Sequence, residues 1–277
     1  MSVEHYENFP VASWLCPPAL RPPITAIYWF ARTADDLADE GDAPAEQRLA
    51  DLSAYRAELQ RVAAGQSPGP RWAPIFTALA RALQAHALPL PLLDDLLQAF
   101  ERDVPSPRYA DRAELLDYCR QSANPVGRLL LHLHGITQPQ ALAQSDAICS
   151  ALQLINFWQD LSVDLPRGRC YLPAEDLVRH GLMPSQRPTT DTAATQALVA
   201  DLCAWARALM RQGAPLVHTL PGRAGWELRL VVQGGLRILE KIEAMHCRSL
   251  TRRPTLGPTD LARMAWRSLW MPRSTLS

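Results

Sequence analysis

Residues Cys149 to Val163, CSALQLINFWQDLSV, carry apolar side chains on every side of a helical wheel, and this run constrains the fold more than any other part of the chain. A helix that is apolar all round is a buried helix. Yet Asn156 and Asp160 lie within the run and Asp164 directly follows it, at i, i+4 and i+8. At 3.6 residues per turn each four-residue step overshoots a full turn by about 40°, so the three side chains form one stripe. Buried carboxylates are costly without a cation, an ion pair or water. The run therefore calls for a helical bundle with an acidic stripe on one of its inner helices.

The rest of the chain agrees with a bundle. Strand signals, alternating Val/Ile/Thr runs between tight turns, are absent, and good helix formers such as Ala, Leu, Arg, Gln and Glu dominate. Helical periodicity predicts helices near 24–40, 45–64, 74–87, 90–102, 111–134, 139–163, 193–212, 223–249 and 258–270. In the second of these, Leu49, Leu52, Tyr55, Leu59 and Val62 mark the buried face. Asn124-Pro125-Val126-Gly127 interrupts the fifth, and Leu165 to Pro173 is a polar loop around Gly168. The 24 prolines punctuate helices rather than form a linker. The expectation is an all-α fold, one domain over residues 1–277, of about eight to ten helices.

Composition narrows the function. With 48% hydrophobic residues the chain can bury a sizeable core. Lys plus Arg and Asp plus Glu number 28 each, which argues against broad nucleic-acid binding. The six cysteines show no CxxC or metal-finger spacing and read as small core residues in a reducing compartment. The start, Met1-Ser-Val-Glu-His-Tyr-Glu7, is too polar for a signal peptide, and no apolar run is long enough for a membrane span. These features predict a cytoplasmic protein.

A second acidic cluster follows the apolar segment Ile24 to Phe30. Asp35 and Asp39 stand at i and i+4 with Asp36 beside them. Like charges at this spacing repel, and a cation between them reverses the sign. Magnesium prefers oxygen ligands and completes its shell with water and substrate phosphates. Two acidic stripes on facing helices would hold a small cluster of such ions around a diphosphate. The bland alternative is that Asp35 to Asp42 is a solvated helix end and that Asp160 and Asp164 pair with arginines.

Four blocks of sequence resemble the squalene/phytoene synthase family of head-to-head isoprenoid synthases: Tyr28-Trp-Phe-Ala-Arg-Thr-Ala-Asp-Asp-Leu-Ala-Asp39, Tyr118-Cys-Arg-Gln-Ser-Ala-Asn-Pro-Val-Gly127, Gln153-Leu-Ile-Asn-Phe-Trp-Gln-Asp-Leu-Ser-Val-Asp164 and Arg167-Gly-Arg-Cys-Tyr-Leu-Pro173. The likeness runs from about Glu7 to Leu269. It implies a helical bundle with a central cavity and two or three magnesium ions. It further implies that Asp35, Asp36, Asp39, Asn156, Asp160 and Asp164 bind or support the metal. Arg32, Arg169 and Tyr171 would contact diphosphate, Tyr28, Tyr118 and Gln153 would lie near the reacting carbons, and Ala123 and Gly127 would be small residues beside the substrate chain. On spacing alone, Tyr28 and Tyr118 also read as core tyrosines, Arg32 as an ion-pair partner of Asp36 or Glu40, and Gly127 as a turn residue.

Within the family, Glu7-Asn-Phe-Pro-Val-Ala-Ser13 and Ala31-Arg-Thr-Ala-Asp-Asp36 resemble the bacterial hydroxysqualene synthases of hopanoid pathways. Gln159 also stands where many condensing members carry Arg or Lys, which fits one departing diphosphate better than two joining substrates. The reaction implied is the conversion of presqualene diphosphate and water to hydroxysqualene and diphosphate. Tyr28, Trp29, Phe157 and Trp158 are aromatic faces for the cationic intermediate. Gln153, Asn124 and Tyr118 are candidates for positioning the water. A condensing synthase acting on farnesyl or geranylgeranyl diphosphate and a non-catalytic isoprenoid-binding protein are the alternatives. No Gly-rich dinucleotide fingerprint is present, so no nicotinamide cofactor is expected. The expected partners are the isoprenoid diphosphate, pathway enzymes supplying presqualene diphosphate, and the membrane's inner face as a peripheral contact. For the tail from Met264 to Arg273, packing on the bundle is favoured over contact with lipid.

Overall fold

The computed structural model describes residues 16–271, so the Glu7–Ser13 segment and Arg273 lie outside the described residues. Among the described residues the secondary structure is helical, with no strand. Twelve α-helices follow one another within the described residues: α1 (Arg21–Asp39), α2 (Ala45–Ala63), α3 (Ala73–His86), α4 (Leu90–Asp103), α5 (Arg112–Ser122), α6 (Asn124–Leu133), α7 (Pro139–Gln159), α8 (Leu161–Asp164), α9 (Ala174–Arg179), α10 (Ala193–Gly213), α11 (Gly222–Ala244) and α12 (Pro258–Leu269). The count exceeds the expected eight to ten because α8 and α9 are short and the fifth predicted helix splits in two. The chain forms two compact units: residues up to Pro105 with Pro125–Gln138, and Ser106–Asn124 with Pro139 onward.

In the first unit α1 packs on α2, α3 and α4. Pro22 and Pro23 lie in its first turn, where a missing N–H forfeits no helical bond. Phe30 of α1 stacks on Tyr55 of α2 at 5.3 Å between ring centres, and Tyr55 packs on Phe76 of α3 at 4.7 Å. The buried Tyr55 hydroxyl donates to the Phe30 carbonyl at 3.1 Å, which satisfies it without water. Leu49 departs from its predicted place on the buried face: it is exposed, while Leu52, Tyr55, Leu59 and Val62 are buried.

In the second unit α7 is the inner helix, contacted by α5, α10 and α11. It meets α10 so closely that a Cβ on Gly213 would lie 2.5 Å from the Gln144 carbonyl oxygen. The helix starts carry local signals. Asp111 caps α5 by accepting from the Glu114 N–H at 2.8 Å, and Thr192 and Thr195 form a reciprocal capping box on α10. Asp176, fully buried at the start of α9, is gripped by both Arg112 and Arg179, and Arg112 also reaches Asp201.

Two predicted boundaries move. The break after α5 is a single residue, Ala123, and α6 begins at Asn124 with Pro125 in its first turn, so the interruption is shorter than Asn124–Gly127. Helix α11 ends at Ala244 rather than near 249, because His246 and Cys247 adopt left-handed backbone with φ of 55° and 57°. The residues after it, as far as Gly257, form a strap tied down by polar contacts. Asp191 accepts from the Leu250 N–H and the Thr251 hydroxyl.

The tail also differs from expectation. Asp260, Met264 and Ser268 of α12 turn inward, but Trp266 and Trp270 are 64% and 70% exposed. No described helix is long and apolar enough to cross a membrane. Among the described residues, which include all six cysteines, no disulfide is formed.

Candidate active site

The polar stripe on α7 survives in three dimensions. Helix α7 ends at Gln159 and α8 begins at Leu161, but the Asp160 N–H still donates to the Asn156 carbonyl and the Asp164 N–H to the Asp160 carbonyl, each at 2.9 Å. The four-residue spacing thus carries across the join. Gln153, at seven residues before Asp160, lies on the same face. These four side chains are half-buried, whereas their neighbours Leu154, Ile155, Phe157 and Trp158 are buried.

The stripe is partly neutralised by a residue the sequence reading did not single out. Arg253, in the strap after α11, grips Asp160 with two guanidinium nitrogens, the longer contact at 3.3 Å. Gln159 donates its side-chain amide to the Pro254 carbonyl at 2.8 Å and so anchors the strap next to that pair. The uncharged residue at 159 therefore does not leave Asp160 without a cation: Arg253 supplies one from 93 positions away. This removes much of the weight placed on Gln159. The Thr251-Arg252-Arg253-Pro254 stretch falls between periodic segments, and nothing local links it to Asp160.

On Asp164, by contrast, Arg167 and Arg253 act through space, by their charge. Burial, and then the charge of Asp160, push its carboxyl up to about 6. In the first unit, Arg32 pairs with Asp35 at 3.3 Å, Asp36 at 2.7 Å and Glu40 at 2.8 Å. The bland ion-pair reading of Arg32 is therefore the arrangement observed. Asp35, Asp36 and Asp39 nevertheless occupy the end of α1, the negative pole of the helix dipole, with no basic residue in the last turn.

These two features test whether a divalent cation suits the donors present. Carboxylates crowded at a helix C-terminus, and a carboxyl whose pKa is raised by burial and a like charge, are both relieved by an added cation. The donors are all oxygens, the set that magnesium takes. Among the described residues no three His, Cys, Asp or Glu side chains converge as a ready-made cage. Magnesium commonly binds through one or two carboxylates plus water and phosphate oxygens.

An aromatic cluster lies in the same unit as the α7 stripe. Tyr171, in the loop after α8, stacks face to face on Phe157 of α7 with ring centres 3.7 Å apart. Tyr118 lies 6.0 Å from Tyr171 and 6.2 Å from Phe157. Tyr109 completes the group at 5.5 Å from Tyr118. The sequence reading missed Tyr109. Its position comes from backbone pairing: the Ala174 and Glu175 N–H groups donate to the Tyr109 and Ala110 carbonyls. The Arg169 N–H donates to the Asp164 carbonyl at 3.0 Å, which folds the loop back after the acidic stripe. Asn124, at the helix break, accepts from the Ser150 hydroxyl of α7 at 2.9 Å. Tyr28 packs edge-on against Trp29 in the first unit. Ala123 is half-buried and Gly127 is buried.

The model of the squalene/phytoene synthase family matches residues 3–260. The chain belongs to that family. Its members are isoprenoid synthases, and the family's all-α fold is the one described above. A solved structure of squalene synthase HpnC from Alicyclobacillus acidocaldarius is 37% identical, with a TM-score of 0.80 over 88% of this chain and 90% of that one. A hydroxysqualene synthase of Zymomonas mobilis is 42% identical over 172 residues, 61% of this chain and 55% of the relative. That match spans little more than half the length of the relative. A phytoene synthase of Thermus thermophilus is 33% identical over 99% of this chain and 89% of its own length.

Proposed function

We propose that this family member is a hydroxysqualene synthase, converting presqualene diphosphate and water to hydroxysqualene and diphosphate with magnesium. The observation that carries the reading is the half-buried stripe of Gln153, Asn156, Asp160 and Asp164 on an otherwise buried helix, with the Asp164 carboxyl raised to about 6. The likeness to the Zymomonas enzyme supports this choice of reaction within the family.

Asp35, Asp36 and Asp39 on α1, and Asn156, Asp160 and Asp164 on α7 and α8, are the proposed metal-holding groups. Bound there, magnesium supplies the charge that stabilises the departing diphosphate. Arg32 and Arg253 rest on aspartates and would become available to diphosphate oxygens if those carboxylates held metal. Arg169 and Tyr171 are proposed as further diphosphate contacts. Loss of diphosphate breaks a C–O bond and leaves a cyclopropylcarbinyl cation, which rearranges before water adds. Phe157, Tyr118, Tyr171 and Tyr109 offer ring faces that favour positive charge. Tyr28, Gln153, Ala123 and Gly127 are proposed to line the path of the isoprenoid chain, which must stay dry until rearrangement ends. Water then attacks the cation and loses a proton, which gives the alcohol. We assign the protein to the cytoplasm on the same reading.

Arg253 favours one second reading. It restores a cation beside the second aspartate motif, so condensation of two diphosphates is the alternative. Purified protein is to be incubated with magnesium and either presqualene diphosphate or farnesyl diphosphate, without reductant. Hydroxysqualene from the first and no coupled product from the second is the expected result. Coupling of farnesyl diphosphate by this chain alone would replace the proposal with the condensing reading.

The metal part has its own test. Burial raises the Asp164 carboxyl to about 6 in the folded chain, above the ordinary aspartate value of 3.8. The folded chain thus binds this proton more tightly than the unfolded chain, and its contribution to stability falls as pH rises between those values. Magnesium needs the ionised form. The rise in thermal midpoint on adding magnesium is expected to be full near about pH 7.5 and to shrink below about pH 6. A rise of equal size on both sides of that range, or one unchanged in Asp164→Asn, removes Asp164 from the metal site.

A further inference from the structure

Helix α12 is built backwards for a helix that faces water. Its inward stripe is Asp260, Met264 and Ser268, with Asp260 held by Arg237 and Lys241 of α11. Its outward side carries Leu261, Ala262, Ala265, Trp266, Leu269 and Trp270, all exposed. A solvent-facing helix surface is normally polar. Here the Trp266 and Trp270 rings lie 6.0 Å apart and border a groove of about 550 Å³ against Gln233 and Glu240 of α11. Trp226 stands seven residues, two helical turns, before Gln233 on that face of α11; it is 36% exposed, with Arg229 stacked over its ring.

The charge around this apolar face is one-sided. Glu240 and Asp260 are both spent in ion pairs, with Arg237, Lys241 and Arg267 as partners. Arg263 is exposed. Four cations (Arg237, Lys241, Arg263, Arg267) against two carboxylates leave a local excess of +2 in a chain whose formal net charge is +0. Exposed tryptophan and leucine beside arginine is the chemistry of a helix lying in the headgroup layer of an anionic bilayer. A protein partner fits less well. Stable interfaces engage roughly 20–30 residues a side, whereas this face is one side of a 12-residue helix.

We propose that the exposed side of α12, with Trp226 and Arg263 at its margin, docks this protein on an anionic lipid surface. The tryptophan rings enter the headgroup–acyl boundary, and the arginines meet lipid phosphates. The proposal stands apart from the reaction proposed above, because binding is read without substrate.

The test is flotation of the full chain with vesicles of phosphatidylglycerol and phosphatidylcholine, and with vesicles of phosphatidylcholine alone. Binding to the anionic vesicles that weakens with added salt is expected, with little binding to the neutral ones. The Trp266→Ser/Trp270→Ser double variant is expected to bind about tenfold more weakly or worse, and Arg263→Glu to lose part of the binding. Both altered rings are largely exposed, so an unchanged thermal midpoint in the double variant separates lost docking from misfolding. Wild-type protein that ignores anionic vesicles overturns the proposal. So does a double variant that floats as well as wild type, or equal binding to both vesicle types. Light scattering adds a further overturning outcome: a wild-type dimer that the double variant converts to monomer would show that a second copy covers this face.

Discussion

Asp160→Asn is expected to lower turnover of presqualene diphosphate by about 10²-fold to 10³-fold, the range seen when one group stabilising a developing charge is removed. The amide keeps the size of the side chain and loses the charge that a metal needs. It also weakens the pair with Arg253, which is 46% exposed. An exposed pair contributes roughly 0–1 kcal/mol, so the thermal midpoint should move by only a few degrees. Loss of activity with retained fold separates a chemical role from a structural one. Asp35→Asn on α1 is expected to behave in the same way. Turnover within a factor of a few of wild type in both variants would sink the metal model. Turnover lost together with the fold would recast Asp160 as a partner that holds the 245–257 strap in place.

Gly213→Ala is expected to destabilise the protein by about 3 kcal/mol, the upper part of the usual range for overpacking. The added Cβ would meet the Gln144 carbonyl oxygen and the Ile148 side chain at 2.5 Å and the Ile148 nitrogen at 2.9 Å. Two of these are backbone atoms of α7, so relief requires α7 and α10 to separate. The better helix propensity of alanine recovers at most about 1 kcal/mol. Gly235→Ala is the control. Its new Cβ would touch side-chain ends of Met210, Leu152 and Ile155 at 2.9–3.2 Å, and such ends can rotate away. The midpoint is expected to fall by about 5 °C or more in Gly213→Ala and by clearly less in Gly235→Ala. Equal effects would mean that the α7–α10 approach is looser than described.

The helices were legible because periodicity is local. Nine predicted segments correspond to α1–α7 and α10–α12 within a few residues, with α5 and α6 sharing one segment. The errors have physical causes. Helix α9 has six residues, too few to show a period. Helix α11 stops at Ala244 although helix formers continue, because His246 and Cys247 take left-handed backbone that no glycine announces. Leu49 sits in register with Leu52 and Tyr55 yet is exposed, since periodicity marks a face but not its edge. On α12 the apolar pattern favours packing, while the buried stripe is Asp260, Met264 and Ser268. Counting apolar residues could not tell which side of that helix meets α11.

The acidic stripe shows where local reading stops. That Asn156, Asp160 and Asp164 share a face follows from covalent geometry and the helical repeat, so it could be written down from spacing alone. The same holds for the carboxylates gathered at the end of α1. What neutralises each carboxylate could not be. Arg32 is near enough in sequence to be suspected, and it does pair with Asp35 and Asp36. Arg253 reaches Asp160 only because Asp191 and Gln159 pin the strap after α11. Tyr109 joins Tyr118, Tyr171 and Phe157 only because its backbone pairs with the start of α9. Ion pairs and ring contacts depend on distances through space, and those distances follow from the packing of segments far apart in the chain. Residue spacing placed the carboxylates on their helices; packing chose the cation and the aromatic rings that surround them.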